Sequence, residues 1–428
     1  MAIPNFIDII NRLKASRLFR DSMNAILGNG LGNALMLSAG IVIARMLGKD
    51  LYGEYGLIKT TMLYVGVFAS FGLGTTSTKF IATAINDQPI TVNSIIKDTL
   101  FITVGFSTLI STLLFIFALP LANFLNDVDL VTPIRFLGPI IIANSINKAQ
   151  YGILGGFKRY DIIAVNNVIS ALLMLIFACV FTYYWSLWGA LSALLISQIT
   201  NSILNNVSLR RIRRSLLNQH NLRNYKVLIK FSFPIALQDF SYILTHWGGS
   251  LLIVKFSSIG QLGIYTAASQ WHSIVLMIPS LLVNVILSHL SSTVNNREKQ
   301  VFLIKRLLII NFLCTFIPFI IIYIFAFTIS KMYGGSFYGM TEVLRILAFS
   351  AIFMCCSNVF NSTLISREKN WELFLSRLFR DLLLLVGTYY FIIILGKEMG
   401  AIAYAISSLA TSIIYFCIVS TLTFKTIR

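Results

Sequence analysis

Four groups of polar side chains lie within strongly apolar stretches, where an ionisable group costs several kcal/mol and usually faces a bundle interior or a wet cavity. Gln238, Asp239, Tyr242 and His246 share one helix face, with Asp239 and His246 at i, i+7. That pair suits a coupling ion, H+ or Na+, or hydrogen bonds to a sugar, whereas a shallow Asp239 would simply be satisfied by water. The second group, Asn144, Asn147, Lys148 and Tyr151, places Asn144, Lys148 and Tyr151 at i, i+4, i+7. An ammonium beside carboxamides and a phenol suits a phosphate or sugar hydroxyls; alternatively Lys148 snorkels to headgroups. The third is Lys59, whose counterpart further along the chain is Ser269, beside Gln270, Trp271 and His272. Trp271 beside hydrogen-bonding groups suits a sugar ring, or lies plainly against lipid. The fourth, Arg135 and Arg345, reads as interfacial anchoring or inter-helix pairing. Asp239 is the only carboxylate expected well inside a span.

Other chemistries find no support in the residues. The five cysteines, Cys179, Cys314, Cys355, Cys356 and Cys417, lie in apolar runs without metal spacing and read as small hydrophobes. Gly28-Asn29-Gly30-Leu31-Gly32 looks like a phosphate loop, but no strand precedes it; Gly28 and Gly32 read better as a small-residue packing seam. There is no Walker A lysine, metal-ligand set, carboxylate pair or convincing Ser-His-Asp arrangement. The expectation is therefore a protein that is not an enzyme and carries no cofactor or metal, with H+ or Na+ coupling as its only ionic requirement.

The elements that must position these groups are transmembrane helices. Of 428 residues, 57% are hydrophobic and only 12% charged, and the mean hydropathy is +0.80; soluble chains carry about a quarter charged residues. About twenty apolar residues cross a bilayer, and the apolar runs divide into about twelve spans. In the first half these are approximately 22–46, 55–78, 98–122, 133–155, 162–184 and 187–207. In the second they are approximately 231–256, 264–289, 303–327, 341–364, 376–396 and 400–422. The start of the chain turns basic without a small-residue cleavage site and is expected to be retained. With the N-terminus inside, one face receives the basic start, Lys97, Lys158-Arg159, Arg210 to Arg214, Arg297, Lys299, Arg367, Lys369 and Lys425 to Arg428. The positive-inside rule then makes both termini cytoplasmic. It also explains most of the net charge of +18 without nucleic acid.

The two sets of spans are copies. Tyr52-Gly53-Glu54-Tyr55 returns at an offset of 210 residues as Leu262-Gly263-Ile264-Tyr265. The same offset carries Ser22 onto Ser232, Arg135-Phe136-Leu137 onto Arg345-Ile346-Leu347, and Ile196-Ser197 onto Ile406-Ser407. Gly189-Ala190 recurs as Gly400-Ala401, one residue out of register. Such duplication is typical of secondary transporters. The expected organisation is an N-lobe at 1–207 (six helices), a basic cytoplasmic linker at 208–230 along the anionic leaflet, and a C-lobe at 231–428 (six helices).

Ala44-Arg45-Met46-Leu47-Gly48, the two Gly-x-Tyr motifs, and Gly155-Gly156-Phe157-Lys158-Arg159-Tyr160 resemble the polysaccharide-export branch of the multidrug/oligosaccharidyl-lipid/polysaccharide flippase superfamily, nearest to O-antigen repeat-unit flippases of Wzx type. The resemblance implies an all-α integral membrane protein of two pseudo-symmetric six-helix lobes in a V, rocking between inward-open and outward-open states in the bacterial inner membrane. The implied cargo is an undecaprenyl-diphosphate-linked glycan moved from the cytoplasmic to the periplasmic leaflet. Membrane lipids, and the polymerase and chain-length regulator of the same pathway, are the implied partners. Relatives commonly carry an Asp about 16 residues before the Gly-x-Tyr tyrosine; here that position is Gly249, and Asp239 is the nearby carboxylate. The candidate substrate groups are Lys59, Asn144, Lys148, Tyr151, His246, Gln270 and His272; the candidate coupling groups are Asp239 and His246. The competing readings are a drug or metabolite exporter of the same superfamily, a lipid-linked peptidoglycan-precursor flippase, for which extra spans would be expected, and a membrane polymerase or ligase acting on lipid-linked sugars. Scarce buried carboxylates argue against the exporter, and short periplasmic loops against the enzyme.

Overall fold

The computed structural model describes residues 17–87, 91–214, 225–291 and 296–427; side chains are described from Gly28 onward, apart from some positions that include Gln238, Asp239 and Tyr242. Helices dominate throughout, as lipid requires, because a helix satisfies its own backbone. In the first half they are α1 (Arg17–Ala69), α2 (Leu73–Asp87), α3 (Val92–Ile116), the short α4 (Ala118–Phe124), α5 (Val131–Gly156) and α6 (Tyr160–Arg214). In the second they are α7 (Tyr225–Phe256), α8 (Ile259–Ser291), α9 (Arg297–Tyr333), α10 (Met340–Ser366), α11 (Asn370–Leu395) and α12 (Gly400–Ile427). Eight helices are long and apolar enough to cross a membrane among the described residues. Two of these are double length. α1 departs from helical geometry at Gly48 (φ 73°, ψ 174°), and α6 at Trp185 and Ser186, so each strings two successive expected spans together. The protein is an all-α, multi-pass membrane protein.

The duplication is legible in the backbone. Lys158 (φ 58°) and Glu368 (φ 61°) occupy the left-handed region at matched positions, as do Ser186 (φ 49°) and Gly396 (φ 90°). Around Lys158 the N–H of Arg159 reaches back to Leu154 O at 2.9 Å, and around Glu368 that of Lys369 reaches Leu364 O at 2.9 Å. A shared turn persists although Lys stands in one copy and Glu in the other. Non-glycine residues there are uncommon, so the recurrence reflects inherited geometry.

Two elements differ from expectation, the first being the span expected at 98–122, which ends at Ile116 and resumes as the short α4. The span expected at 55–78 is broken between Ala69 and Leu73, where Phe71 (φ 54°) and Gly72 (φ 65°) both turn left-handed. Ser70 Oγ bonds Val67 O at 2.6 Å, closing the end of α1, and Gly72 lets the chain restart as α2. A Cβ on Gly72 would lie 2.8 Å from the Ile235 side chain, and Thr76 Oγ1 hydrogen-bonds Ser232 Oγ at 2.7 Å. Hydropathy alone does not register such a break, because Phe71 and Leu73 keep the run apolar.

The chain forms two compact units, whose limits cut across the two halves. The first takes in the described residues up to Met46 together with Ile58–Leu244; the second takes in Leu47–Leu57 and the residues from Thr245 onward. Residues 215–224 of the basic segment expected at 208–230 lie outside the described ones; residues 208–214 prolong α6 and 225–230 open α7.

In the first unit, Leu73, Ile81, Val92, Ile96, Ile153, Leu154, Leu209 and Leu228 form one buried cluster. α2 and α5 meet through small residues: a Cβ on Gly152 would lie 1.9 Å from Gly74 O, and Thr78 Oγ1 bonds Gly152 O at 2.9 Å. The Gly28 seam exists as expected, inside a helix and against Ala164 of α6. In the second unit, Ile286, Ile304, Phe360, Leu364, Tyr415 and Val419 pack together. The two Gly-x-Tyr motifs cross backbone to backbone there. A Cβ on Gly53 would lie 1.9 Å from Ile259 O, and one on Gly263 would lie 2.1 Å from Lys49 O. Tyr52 is fully buried beneath this crossing and stacks on Tyr55 (5.6 Å) and Phe337 (5.8 Å).

Candidate functional site

In the first unit, α1, α5 and α6 line a polar chamber of about 190 Å³ that is open on one side. α5 contributes Asn144, Asn147, Lys148 and Tyr151. α1 adds Asn29, Asn33 and Met36, and the two arms of α6 add Asn167 and Ser170, then Ser197, Gln198 and Asn201. The three candidates at i, i+4, i+7 on α5 therefore do form one stripe. The partners come from amides that the sequence reading did not single out. Gln198, Asn201 and Asn205 recur at helical spacing inside an apolar span, which is the signal that would have found them.

The chamber wall is a hydrogen-bonded amide lattice. Asn147 Nδ2 donates to Gln198 O and Oε1, both at 3.0 Å, and Asn144 Nδ2 donates to Gln198 Oε1 at 3.3 Å. Tyr151 donates its hydroxyl proton to Asn167 Oδ1 at 2.5 Å and accepts from Asn201 Nδ2 at 2.7 Å. Asn205 Nδ2 donates to Asn201 Oδ1 at 2.8 Å, and Asn166 Nδ2 to Asn205 Oδ1 at 2.8 Å. Asn167 Nδ2 reaches Asn29 Oδ1 at 3.2 Å, tying the lattice to α1. Such a network fixes each amide's orientation, since alternatives would bury unpaired groups. Its lining carries one cationic side chain, Lys148, and no carboxylate. The volume corresponds to about six waters at about 30 Å³ each.

The remaining candidates lie elsewhere. Lys59 is half-buried on α1 in the first unit and does not line the chamber. Gln270 donates to the buried Tyr52 hydroxyl, and Trp271 Nε1 to Tyr333 OH at 2.9 Å, so both brace the Gly-x-Tyr crossing in the second unit. Arg135 stacks over Phe115 and Arg345 over Tyr323, each at 4.9 Å, one pair in each unit. The Asp239 side chain, with those of Gln238 and Tyr242, lies outside the described ones.

His246 and His272 are within electrostatic reach of one another, and His246 of Arg380. Arg380 pairs with Asp381, a second carboxylate inside a span, which corrects the expectation that Asp239 is the only one. On α11 its Nε and Nη2 donate to Asp381 Oδ1 at 2.8 and 2.6 Å, with side chains 21% and 16% exposed. The guanidinium lies 4.9 Å from the Tyr415 ring centroid, and Tyr415 donates to Asn361 Oδ1 at 2.8 Å. Shifted by the repeat offset, Asn361, Arg380 and Tyr415 become Tyr151, Ser170 and Asn205. Each unit thus builds a polar interior at one register, amide-rich in the first and ion-paired in the second. No group of three or more His, Cys, Asp or Glu that could hold a metal ion occurs among the described residues.

Solved structures share this fold at low identity. An inward-facing multidrug resistance MATE family transporter of the MOP superfamily superposes with a TM-score of 0.75 at 16% identity, covering 94% of this chain and 98% of that one. The lipid II flippase MurJ, in an inward closed conformation, gives 0.72 at 13% identity, over 94% and 88% of the two chains. A MOP superfamily transporter from Pyrococcus furiosus, described as having a binding pocket of reversed polarity, gives 0.63 at 16% identity and 96% coverage of each. No protein among those curated for function matches the chain in sequence. The family model for polysaccharide biosynthesis proteins matches residues 18–293 of the 428, and the chain belongs to that family.

Proposed function

We propose that this protein is a flippase that carries a glycan linked to undecaprenyl diphosphate, an O-antigen or related repeat unit, from the cytoplasmic to the periplasmic leaflet of a bacterial inner membrane by alternating access. The observation that carries the proposal is the duplicated helical architecture of a polysaccharide biosynthesis protein with polar interiors in both units. A polyprenyl tail can stay in lipid while the headgroup crosses a wet, cation-bearing route, which lowers the cost of moving a diphosphate through hydrocarbon. Lys59, Lys148, His246 and His272 are the groups assigned to the headgroup, and H+ or Na+ drives the cycle. Basic residues on one side put both termini in the cytoplasm. The reading makes the protein a carrier, with the pathway's polymerase and chain-length regulator acting on what it delivers. The matching fold of the multidrug transporter keeps a drug exporter as the second reading, but the cation Lys148 in the chamber wall disfavours organic cations.

Deleting the gene and recovering lipid-linked glycans from each leaflet tests the proposal. A flippase leaves intact repeat units in the cytoplasmic leaflet. Export of single, unpolymerised units in the deletion strain would refute it in favour of a polymerase.

A further inference from the structure

Basic residues at one end of the first unit form a set that neither the chamber nor the cargo route uses. Arg213, near the end of α6, donates its Nε–H to Oδ1 of the buried Asn93, in the first turn of α3, at 2.8 Å. The bond holds the guanidinium in place and leaves its two terminal amino groups for another acceptor. Ile96 of α3 and Leu209 of α6 share one buried cluster, so both helices run from the bond into the apolar bundle side by side. Lys97 stands four residues on along α3 and Arg210 three residues back along α6, about 6 and about 4.5 Å from the bond at 1.5 Å per residue. These two cations come to one level, and both are exposed. Among the described residues no ion pair involves Lys97, Arg210 or Arg213. Asp98, beside Lys97, is already engaged within the protein.

Beyond that level the same faces turn apolar and stay open. Phe101, one turn past Lys97, is 81% exposed, and Val207 and Ile203, one and two turns before Arg210, are 42% and 56% exposed. These segments belong to helices long and apolar enough to cross a membrane, so the exposed side chains face hydrocarbon. Cations that cap two lipid-facing stripes suit a phosphate whose acyl chains lie along the stripes; an inorganic anion would leave the stripes unused. Arginine meets phosphate oxygens with paired N–H groups and lysine meets them as a point charge. Three uncompensated positive charges repel the ammonium of a choline or ethanolamine headgroup. Shifted by the repeat offset, Asn93, Lys97, Arg210 and Arg213 become Leu303, Leu307, Ser420 and Thr423. The second copy places its exposed Lys305 and Arg306 at other positions on α9, so the set is not a by-product of the duplication.

We propose that Lys97, Arg210 and Arg213, with Asn93 orienting Arg213, hold the phosphate of an anionic phospholipid at the α3–α6 corner of the first unit. The lipid belongs to the surrounding membrane and is not cargo, so the site stands whether or not the flippase reading does. It narrows the expectation that residues 208–230 lie along an anionic leaflet to one defined contact, with Phe101 and Val207 beside the acyl chains.

The full-length protein, delipidated in neutral detergent, is titrated with phosphatidylglycerol and with phosphatidylcholine, and bound lipids are counted by native mass spectrometry. Phosphatidylglycerol binds more tightly. Lys97→Gln and Arg210→Gln, both at exposed positions, each weaken it about fivefold, the loss expected for one basic residue at an anionic surface. Asn93→Ala leaves every charge in place and still weakens binding, because Arg213 loses the acceptor that orients it. Should Asn93→Ala fail to fold, Arg213→Gln reads the same contact. Lys305→Gln, in the second unit, leaves the affinity nearly unchanged. Equal affinity for the two lipids overturns the proposal. So does a Lys305→Gln loss as large as that of Lys97→Gln, which would mean diffuse attraction to a basic surface. Full affinity in a folded Asn93→Ala protein overturns the built site as well. Displacement of phosphatidylglycerol by millimolar inorganic phosphate does the same, since the acyl chains would then contribute nothing.

Discussion

Gly53→Ala tests the backbone crossing at the Gly-x-Tyr motifs. The added Cβ would sit 1.9 Å from Ile259 O and 2.7 Å from Ile259 C. Both atoms are main chain, so no rotamer change can relieve the overlap. Reaching even 3.0 Å, a separation real Cβ atoms essentially never go below, requires about 1.1 Å of helix displacement. Overpacking typically costs about 1–3 kcal/mol, and a rigid partner places this change near the upper end. The better helix propensity of Ala returns up to about 1 kcal/mol, leaving a net loss of about 2 kcal/mol. On the scale of domains of 150–250 residues, that lowers Tm by roughly 4–8 °C. A thiol-reactive dye reads the transition once Cys179, Cys314 and Cys417 are replaced, since the remaining Cys355 and Cys356 are buried in this unit. Gly105→Ala is the control, because a Cβ there meets nothing within 4 Å, and its Tm should hold or rise. A Gly53→Ala protein melting at or above the wild type would refute the reasoning, as would an equal fall in Gly105→Ala.

Lys148→Ala and Lys59→Ala are each expected to impair export of lipid-linked glycan at unchanged protein abundance, measured by surface polysaccharide against immunoblot; wild-type export in both would remove these lysines from the route. Tyr151→Phe removes the bond to Asn167 and leaves Asn201 Nδ2 with only its longer contact to Asn167. The expected loss is about 1 kcal/mol in unfolding experiments, and an unchanged midpoint would show the lattice to be slack. Arg380→Met should destabilise more than the double change Arg380→Met with Asp381→Leu, because the single change leaves a carboxylate that is only 16% exposed without its ion-pair partner. A double variant less stable than the single one would contradict that order.

Hydropathy and the repeat carried the fold a long way. The expected spans fall on helices, with 55–78 and 98–122 interrupted, because crossing lipid leaves little alternative for an apolar run of that length. The offset that aligned Gly53 with Gly263 recurs in the left-handed turns at Lys158 and Glu368. The stripe of Asn144, Lys148 and Tyr151 was legible because helical periodicity is local. Its partners on α6 were not, since which helices face one another depends on packing that no single segment encodes. Asp381 escaped notice for a related reason: next to Arg380, near the start of an expected span, it reads as a shallow charge pair until the fold partly buries both. The break at Phe71 and Gly72 shows the other blind spot, because a left-handed turn leaves an apolar run as apolar as before.

The limits of the two compact units bear on how the chain is made. The first unit is completed by Tyr225–Leu244, which follows the duplication boundary, while the second takes Leu47–Leu57 from near the start. As synthesis proceeds, Gly72 and Thr76 lack Ile235 and Ser232 until α7 has left the ribosome. Leu47–Leu57, inserted early, waits for α8 before Gly53 finds Ile259. Neither copy can mature alone, so translation that stops after α6 yields a fragment for quality control to clear.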